Sequence, residues 1–83
     1  MIQKNITAQR EIRSTEAAAA FVQLAMACQS QLKLEAEGRC VNPKSLLGVL
    51  CLGIEAGSSL TLTAEGPDEE EAWRELAAFF KAQ

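Results

Sequence analysis

The chain has 83 residues, 48% of them hydrophobic and 23% charged, with a net charge of −3 at pH 7. This length and this apolar fraction predict a single small globular domain over residues 1–83. Residues 1–44 carry a net charge of +2 and residues 45–83 a net charge of −5. Because neither half has the dense basic patch that nucleic acid phosphates require, we expect no direct binding to nucleic acid.

No apolar run reaches the roughly 20 residues that span a bilayer, and the N-terminus lacks the apolar segment of a signal peptide. We therefore expect a cytoplasmic protein with no membrane partner. Cys28, Cys40 and Cys51 are far apart in the sequence, and the chain contains no histidine that could complete a zinc site. The cysteines are predicted to be reduced, partly buried thiols, and no metal is expected.

The N-terminal third predicts a strand followed by a helix. In residues 2–8 the apolar positions are evenly spaced, as in a strand with one buried face. Ser14 or Thr15 can cap the helix that follows over residues 15–29, and Glu16 suits the positive end of its dipole. The apolar residues of this helix recur at helical spacing and predict a stripe packed on a sheet: Ala18, Phe21, Val22 and Ala25.

Two further stretches alternate polar and apolar residues, which is typical of strands with one buried face. Residues 31–37 alternate in this way, and Glu37 and Gly38 can turn the chain into a second strand over 39–41. Residues 60–64 form a fourth predicted strand. Its inward face is predicted to be Leu60, Leu62 and Ala64.

The C-terminal segment predicts a turn at Gly66 and Pro67, an N-cap at Asp68 and a helix with three glutamates in its first turn. Its predicted buried stripe is Ala72, Trp73, Leu76 and Phe80. The element order is strand, helix, strand, strand, short helix, strand, helix. This order predicts an α+β open-faced sandwich, in which three helices cover one face of a four-stranded antiparallel sheet.

The short helix begins at a serine. Asn42 and Pro43 break the preceding strand, and Ser45 stands directly before an apolar segment that Gly53 ends after two turns. A phosphate on Ser45 would meet unpaired amides and the positive end of the helix dipole. Ser45 is therefore interpreted as an N-cap that can also accept a phosphate, and the alternative is that it is only a cap.

The short helix has no polar face. If Val49 and Leu52 face the core, then Leu46, Leu47 and Leu50 must lie at least partly in water. Three leucines beside a modifiable serine predict a small apolar docking surface. The alternative is that a neighbouring loop covers them.

These residues carry a resemblance to a known family. The run of Gly38 and Arg39, then residues 44–47, then Val49, Leu52 and Gly53 resembles the regulatory-serine signature of HPr, the small phosphocarrier of the bacterial sugar phosphotransferase system. Residues 60–69 are also similar to this family, and the element order matches over essentially the whole chain. The resemblance implies the HPr fold, and it implies no cofactor.

One part of the family pattern is missing. HPr proteins carry a phosphoryl group on a histidine at the start of the first helix, and here Arg13 or Ser14 occupies that position, depending on the alignment. A phosphohistidine relay needs an imidazole nitrogen, and neither side chain supplies one. Glu16 would in addition oppose an incoming phosphate. We therefore expect that phosphoryl transfer to sugars through this position is lost and that the protein is not an enzyme.

The chain resembles more closely the catabolite-repression form of HPr, which lacks the active histidine and keeps the regulatory serine. The resemblance implies phosphorylation of Ser45 by HPr kinase/phosphorylase and binding to a transcriptional regulator, through a surface made of Lys44, Leu46, Leu47 and Leu50. One alternative is an interaction subunit that uses the patch around Leu47 and is never phosphorylated. An enzyme with Ser14, Thr15 or a cysteine as nucleophile is disfavoured, because no histidine base and no paired carboxylates are present.

Overall fold

Four strands and three helices form the part of the chain, residues 1–81, that the computed structural model describes. The strands pair antiparallel throughout, in the spatial order β1-β4-β2-β3. The predicted element order and the α+β class are confirmed. The elements in chain order are β1 (Ile2–Thr7), α1 (Thr15–Met26), β2 (Gln31–Ala36), β3 (Arg39–Val41), α2 (Leu46–Leu52), β4 (Ser59–Glu65) and α3 (Glu69–Phe79).

The two central strands place their apolar side chains on one face of the sheet. Leu34 of β2 lies opposite Leu62 of β4, and both are fully buried under the helices. The intervening polar residues lie on the other face, where the hydroxyl of Thr61 donates to Oδ1 of Asn5 at 2.8 Å. The predicted inward face of β4 is thus confirmed, since alternation in a strand separates its two faces.

Helix α1 packs on the sheet through the predicted stripe, whose four residues are all buried. Phe21 anchors it against the end of α3, with ring centroids 5.2 Å from Phe79 and 5.1 Å from Phe80. The helix ends at Met26, three residues before the predicted end. The difference arises beyond the helix, where residues 29 and 30 are held by a distant side chain.

That side chain is Asp68, whose predicted role as the capping residue of α3 is only half right. Asp68 occupies the N-cap position, but its carboxylate makes no capping bond. It accepts hydrogen bonds instead from the backbone N–H groups of Gln29 and Ser30, each at 2.9 Å, and from the hydroxyl of Ser30. Ser30 is buried, so Asp68 compensates for the burial of its polar groups and joins α3 to the start of β2.

Gly66 permits this contact between the two segments. Its φ of +154° favours glycine, and a Cβ atom at this position would lie 2.7 Å from Cα of Ser30. No side chain fits in that space. Gly66 therefore fixes the distance between the end of β4 and the start of β2.

Two smaller expectations can be compared with the structure. The β2–β3 turn has positive φ at both Glu37 and Gly38, as the predicted tight hairpin requires. Trp73 is half-buried rather than buried, and its indole N–H donates to the carbonyl of Leu62 in the central strand β4 at 2.8 Å. Within residues 1–81 no helix has the length and apolarity needed to cross a membrane.

Candidate functional site

The predicted N-cap at Ser45 is confirmed. Its backbone is extended (φ −104°, ψ 114°), and its hydroxyl oxygen accepts a hydrogen bond from the N–H of Gly48 at 3.2 Å. The residue is exposed to solvent. Ser45 therefore offers an accessible hydroxyl that already interacts with the first turn of α2.

The chain enters α2 through a turn held by Asn42. Its side-chain oxygen accepts from the N–H of Lys44 at 2.9 Å, and its carbonyl oxygen accepts from the N–H of Ser45 at 2.8 Å. Pro43, between them, is fully buried. These contacts fix the position of Ser45, because the side chain of Asn42 replaces a backbone partner in the turn.

Lys44 is not directed at the hydroxyl of Ser45 by any contact in the structure. Its ammonium group donates to the carbonyl of Cys28, just beyond the end of α1, at 3.0 Å. Carbonyl groups at a helix end lack helical partners and carry the negative end of the dipole, so a lysine is favoured there. The role of Lys44 in partner binding remains a prediction, and its ammonium group has two further N–H donors besides the one bonded to this carbonyl.

Gly48 is a site residue that the sequence reasoning did not single out. A Cβ atom on it would lie 3.3 Å from Oγ of Ser45 and 3.3 Å from Cβ of Val41. Both distances are shorter than most contacts that Cβ atoms make in proteins. The only feature of the sequence that could have indicated this close contact was a glycine inside a predicted helix, where glycine normally lowers stability.

The apolar patch predicted on α2 is exposed, and docking to it remains a prediction. Leu47 is 72% exposed and Leu46 is 39% exposed, while Val49 and Leu52 are buried as predicted. Leu50 is half-buried and packs against the core, so it contributes less to the surface than predicted. No loop among residues 1–81 covers Leu47, and the alternative of a covered patch is not supported.

Arg39 anchors the other end of α2, and sequence reasoning gave it no such role. From β3 its guanidinium donates to the carbonyl of Leu52 at 3.0 Å and to that of Cys51 at 3.3 Å. Gly53 then ends the helix in the left-handed conformation, with φ at 59°. Helix α2 is thus held at both ends, which orients its exposed leucines.

The start of α1 lies near the end of α2, because the buried residues Ile12 and Ile54 form a β-bridge. Ser14 is the N-cap of α1, and its hydroxyl accepts from the N–H of Ala17 at 3.1 Å. Arg13, directly before it, is exposed. The chain has no histidine, and nothing at this helix start supplies a nitrogen nucleophile of the imidazole type.

The cysteines differ in exposure. Cys28 is buried and Cys40 and Cys51 are exposed, so the expectation of partial burial was wrong for the latter two. Burial, reinforced by the charge of Asp68, raises the pKa of the Cys28 thiol. All three are free thiols. No group of three or more potential metal ligands occurs within the described residues.

Comparison with known proteins gives a consistent result. Residues 6–82 match the family model described as PTS HPr component phosphorylation site. The HPr-like protein Crh of Halalkalibacterium halodurans is 44% identical over 66 residues, which make up 80% of this chain and 79% of that protein. The match therefore extends over most of both sequences.

Solved structures share the fold. The phosphocarrier protein HPr of Bacillus anthracis has a TM-score of 0.90 at 36% identity, with 96% of each chain covered. The Bacillus subtilis catabolite repression protein Crh has a TM-score of 0.77 at 36% identity, with 100% of each chain covered. By family model, by sequence and by fold, the chain belongs to the HPr family.

Proposed function

We propose that this chain is a regulatory docking protein related to the bacterial phosphotransferase system and that phosphorylation of Ser45 switches it. The observation that carries the proposal is the exposed hydroxyl of Ser45 at the start of α2, directly beside the exposed side chains of Leu46 and Leu47. A phosphate there would lie next to an apolar surface that a partner protein can cover.

The local charges favour a phosphate on Ser45. The γ-phosphoryl group of ATP would be transferred to Oγ, its bond to the β–γ bridging oxygen breaking so that ADP leaves and the hydroxyl proton is released. The serine gains about −1.5 to −2 charges at neutral pH. The first turn of α2 contains no acidic residue. Its unpaired N–H groups point toward the added charge, so the phosphate would be stabilised where it forms.

The partners follow from the family. We infer that HPr kinase/phosphorylase modifies Ser45 and that a transcriptional regulator reads the phosphate together with Leu47. The name of the related Bacillus subtilis protein refers to catabolite repression, and carbon catabolite control is accordingly the process proposed for this chain. Leu50 and Lys44 are secondary contacts, since Leu50 packs on the core and Lys44 donates to the carbonyl of Cys28 beyond the end of α1.

We further propose that the chain does not relay phosphoryl groups to sugars and catalyses no reaction. Arg13 and Ser14 are the only residues that either alignment places at the family's histidine position. The guanidinium of arginine stays protonated, and a serine phosphoester is too stable to serve as a comparable donor. This proposal separates the chain from the phosphocarriers it resembles in fold.

The test is modification by HPr kinase/phosphorylase with ATP, followed by intact-mass and peptide mass spectrometry. One phosphate should appear, on the peptide that contains Ser45, and Ser45→Ala should abolish it. Ser14→Ala is the matched control, because Ser14 is also an exposed N-cap serine, and that variant should be modified like the wild type. Phosphate that persists in Ser45→Ala, or no modification of the wild type, would refute the assignment.

A further inference from the structure

A groove between β1 and α3 is bordered by different elements from those that form the Ser45 surface. It encloses about 380 Å³, a volume within the usual range for small-molecule sites. Its lining contains apolar and basic side chains and no carboxylate. The residues that matter for its chemistry are Ile6, Thr7, Trp73, Arg74, Ala77 and Lys81.

Trp73 gives the groove a fixed aromatic wall. The hydrogen bond from its indole N–H to the carbonyl of Leu62 holds the ring in place. The ammonium group of Lys4 lies 5.5 Å from the ring centroid, within the range of a cation–π contact. Ile6 and Ala77 extend the apolar surface beside the ring. A flat apolar group could therefore bind here against surfaces that are already ordered.

The groove is positively charged on a protein with a net charge of −3. Arg74 lies on α3 and Lys81 lies two residues beyond its last residue, and both side chains line the groove. Neither forms an ion pair with any residue in the described range 1–81. Arg74 also borders the acidic first turn of α3, which offsets part of its charge. Lys81 has no carboxylate neighbour among the lining residues, and Lys4 lies outside the lining, over the ring of Trp73.

We propose that this groove binds a nucleoside polyphosphate. The base would pack against Trp73, and the phosphates would lie between Arg74 and Lys81. A ligand with one carboxylate would leave one of the two lining cations unmatched, and an uncharged aromatic compound would leave both. A nucleoside polyphosphate combines a flat body with a multiply charged chain whose oxygens can accept hydrogen bonds from both Arg74 and Lys81.

Nuclear magnetic resonance spectra of the full chain can test this directly. Trp73 is the only tryptophan, so the spectrum contains one indole N–H signal, and that signal reports on the groove. ATP without magnesium should shift this signal and the amide signals of Ile6 and Thr7. Adenosine and inorganic triphosphate, which supply the base and the charge separately, should each bind more weakly than ATP.

Substitution of the basic residues provides a second test of the proposal. Arg74→Ala and Lys81→Ala should each raise the dissociation constant of ATP by about two- to fivefold, the effect expected for exposed charges. Lys33→Ala, an exposed lysine of β2, is the matched control and should leave it unchanged. The proposal is overturned if ATP at millimolar concentration does not move the indole signal, if triphosphate alone binds as tightly, or if Lys33→Ala weakens binding equally.

Discussion

At the scale of single residues, the hydroxyl of Ser45 combines two roles. It accepts the N–H of Gly48 in the unmodified protein, and in the proposed function it is also the acceptor of a phosphoryl group. A phosphate oxygen can take over the bond to the amide, with charge in addition. The modification therefore need not unfold the helix on which it acts.

The capping bond can be measured by substitution. Ser45→Ala should lower the free energy of unfolding by about 1 kcal/mol, because an N–H of α2 loses its partner. Ser45→Asp restores an acceptor and a negative charge, and it should lose less than Ser45→Ala. Urea denaturation of the three proteins gives the comparison. If Ser45→Ala were as stable as the wild type, the hydroxyl would contribute nothing as a cap.

Asp68 leads to a prediction about pH. The hydrogen bond from the Ser30 hydroxyl, followed by that from the Gln29 amide, lowers the pKa of Asp68 from its ordinary value. Folding thus favours the ionised carboxylate, so its contribution to stability is complete above the ordinary carboxyl pKa. That contribution is lost as the pH falls below that value and through the lowered pKa of the folded state.

Asp68→Asn should therefore reduce stability at pH 7, and the difference from the wild type should shrink as the pH is lowered below about 4. Denaturation with urea at a series of pH values measures this. Glu70→Gln is the control, since Glu70 is an exposed carboxylate on the same helix. A difference between Asp68→Asn and the wild type that stays constant with pH would contradict this role of the carboxylate.

At the scale of elements, α2 was predictable because its sequence has no polar face. Seven residues with five large apolar side chains and one cysteine cannot all be buried on a small domain. The serine before the helix and the glycine after it defined its ends. The contacts that hold it were not predictable, because Lys44 and Arg39 bind carbonyl groups 16 and 13 residues away, and no local pattern encodes such pairs.

The exposure of Leu47 leads to a prediction about α2. Leu47→Asp should leave the melting temperature nearly unchanged, because Leu47 is 72% exposed. The same variant should lose binding to the regulatory partner. Val49→Asp, two residues along the same helix, buries a charge in the core and should unfold the protein. Melting curves separate the two cases, and unfolding by Leu47→Asp would mean that the patch belongs to the core.

At the scale of the whole molecule, the fold was largely predictable from the sequence. The long-range contacts that hold its elements together were not. Strict alternation in β2 and β4 and the helical stripe of α1 indicated which faces meet in the core. The contact of Asp68 with residues 29 and 30 was missed, because aspartate before a helix is normally its cap. The shorter α1 follows from that same contact.

The proposal that the chain does not relay phosphoryl groups leads to a prediction about the whole molecule. Incubation with enzyme I and phosphoenolpyruvate should leave the protein unmodified, since no residue offers an imidazole nitrogen. Mass spectrometry under conditions that preserve acid-labile phosphate is the measurement, with a histidine-containing HPr as the positive control. Stoichiometric acid-labile phosphate on this chain would show that another residue accepts it.

The central claim is that phosphate on Ser45 controls docking, and calorimetric titration against the catabolite transcriptional regulator tests it most directly. The phosphorylated protein should bind about tenfold or more tightly than the unmodified protein, the gain expected from charge-assisted hydrogen bonds. Leu47→Asp should weaken binding of the phosphorylated form, since the proposed function has the partner contact the leucine together with the phosphate. Equal affinity of the two forms would contradict the account and identify the chain as a docking protein without a phosphorylation switch.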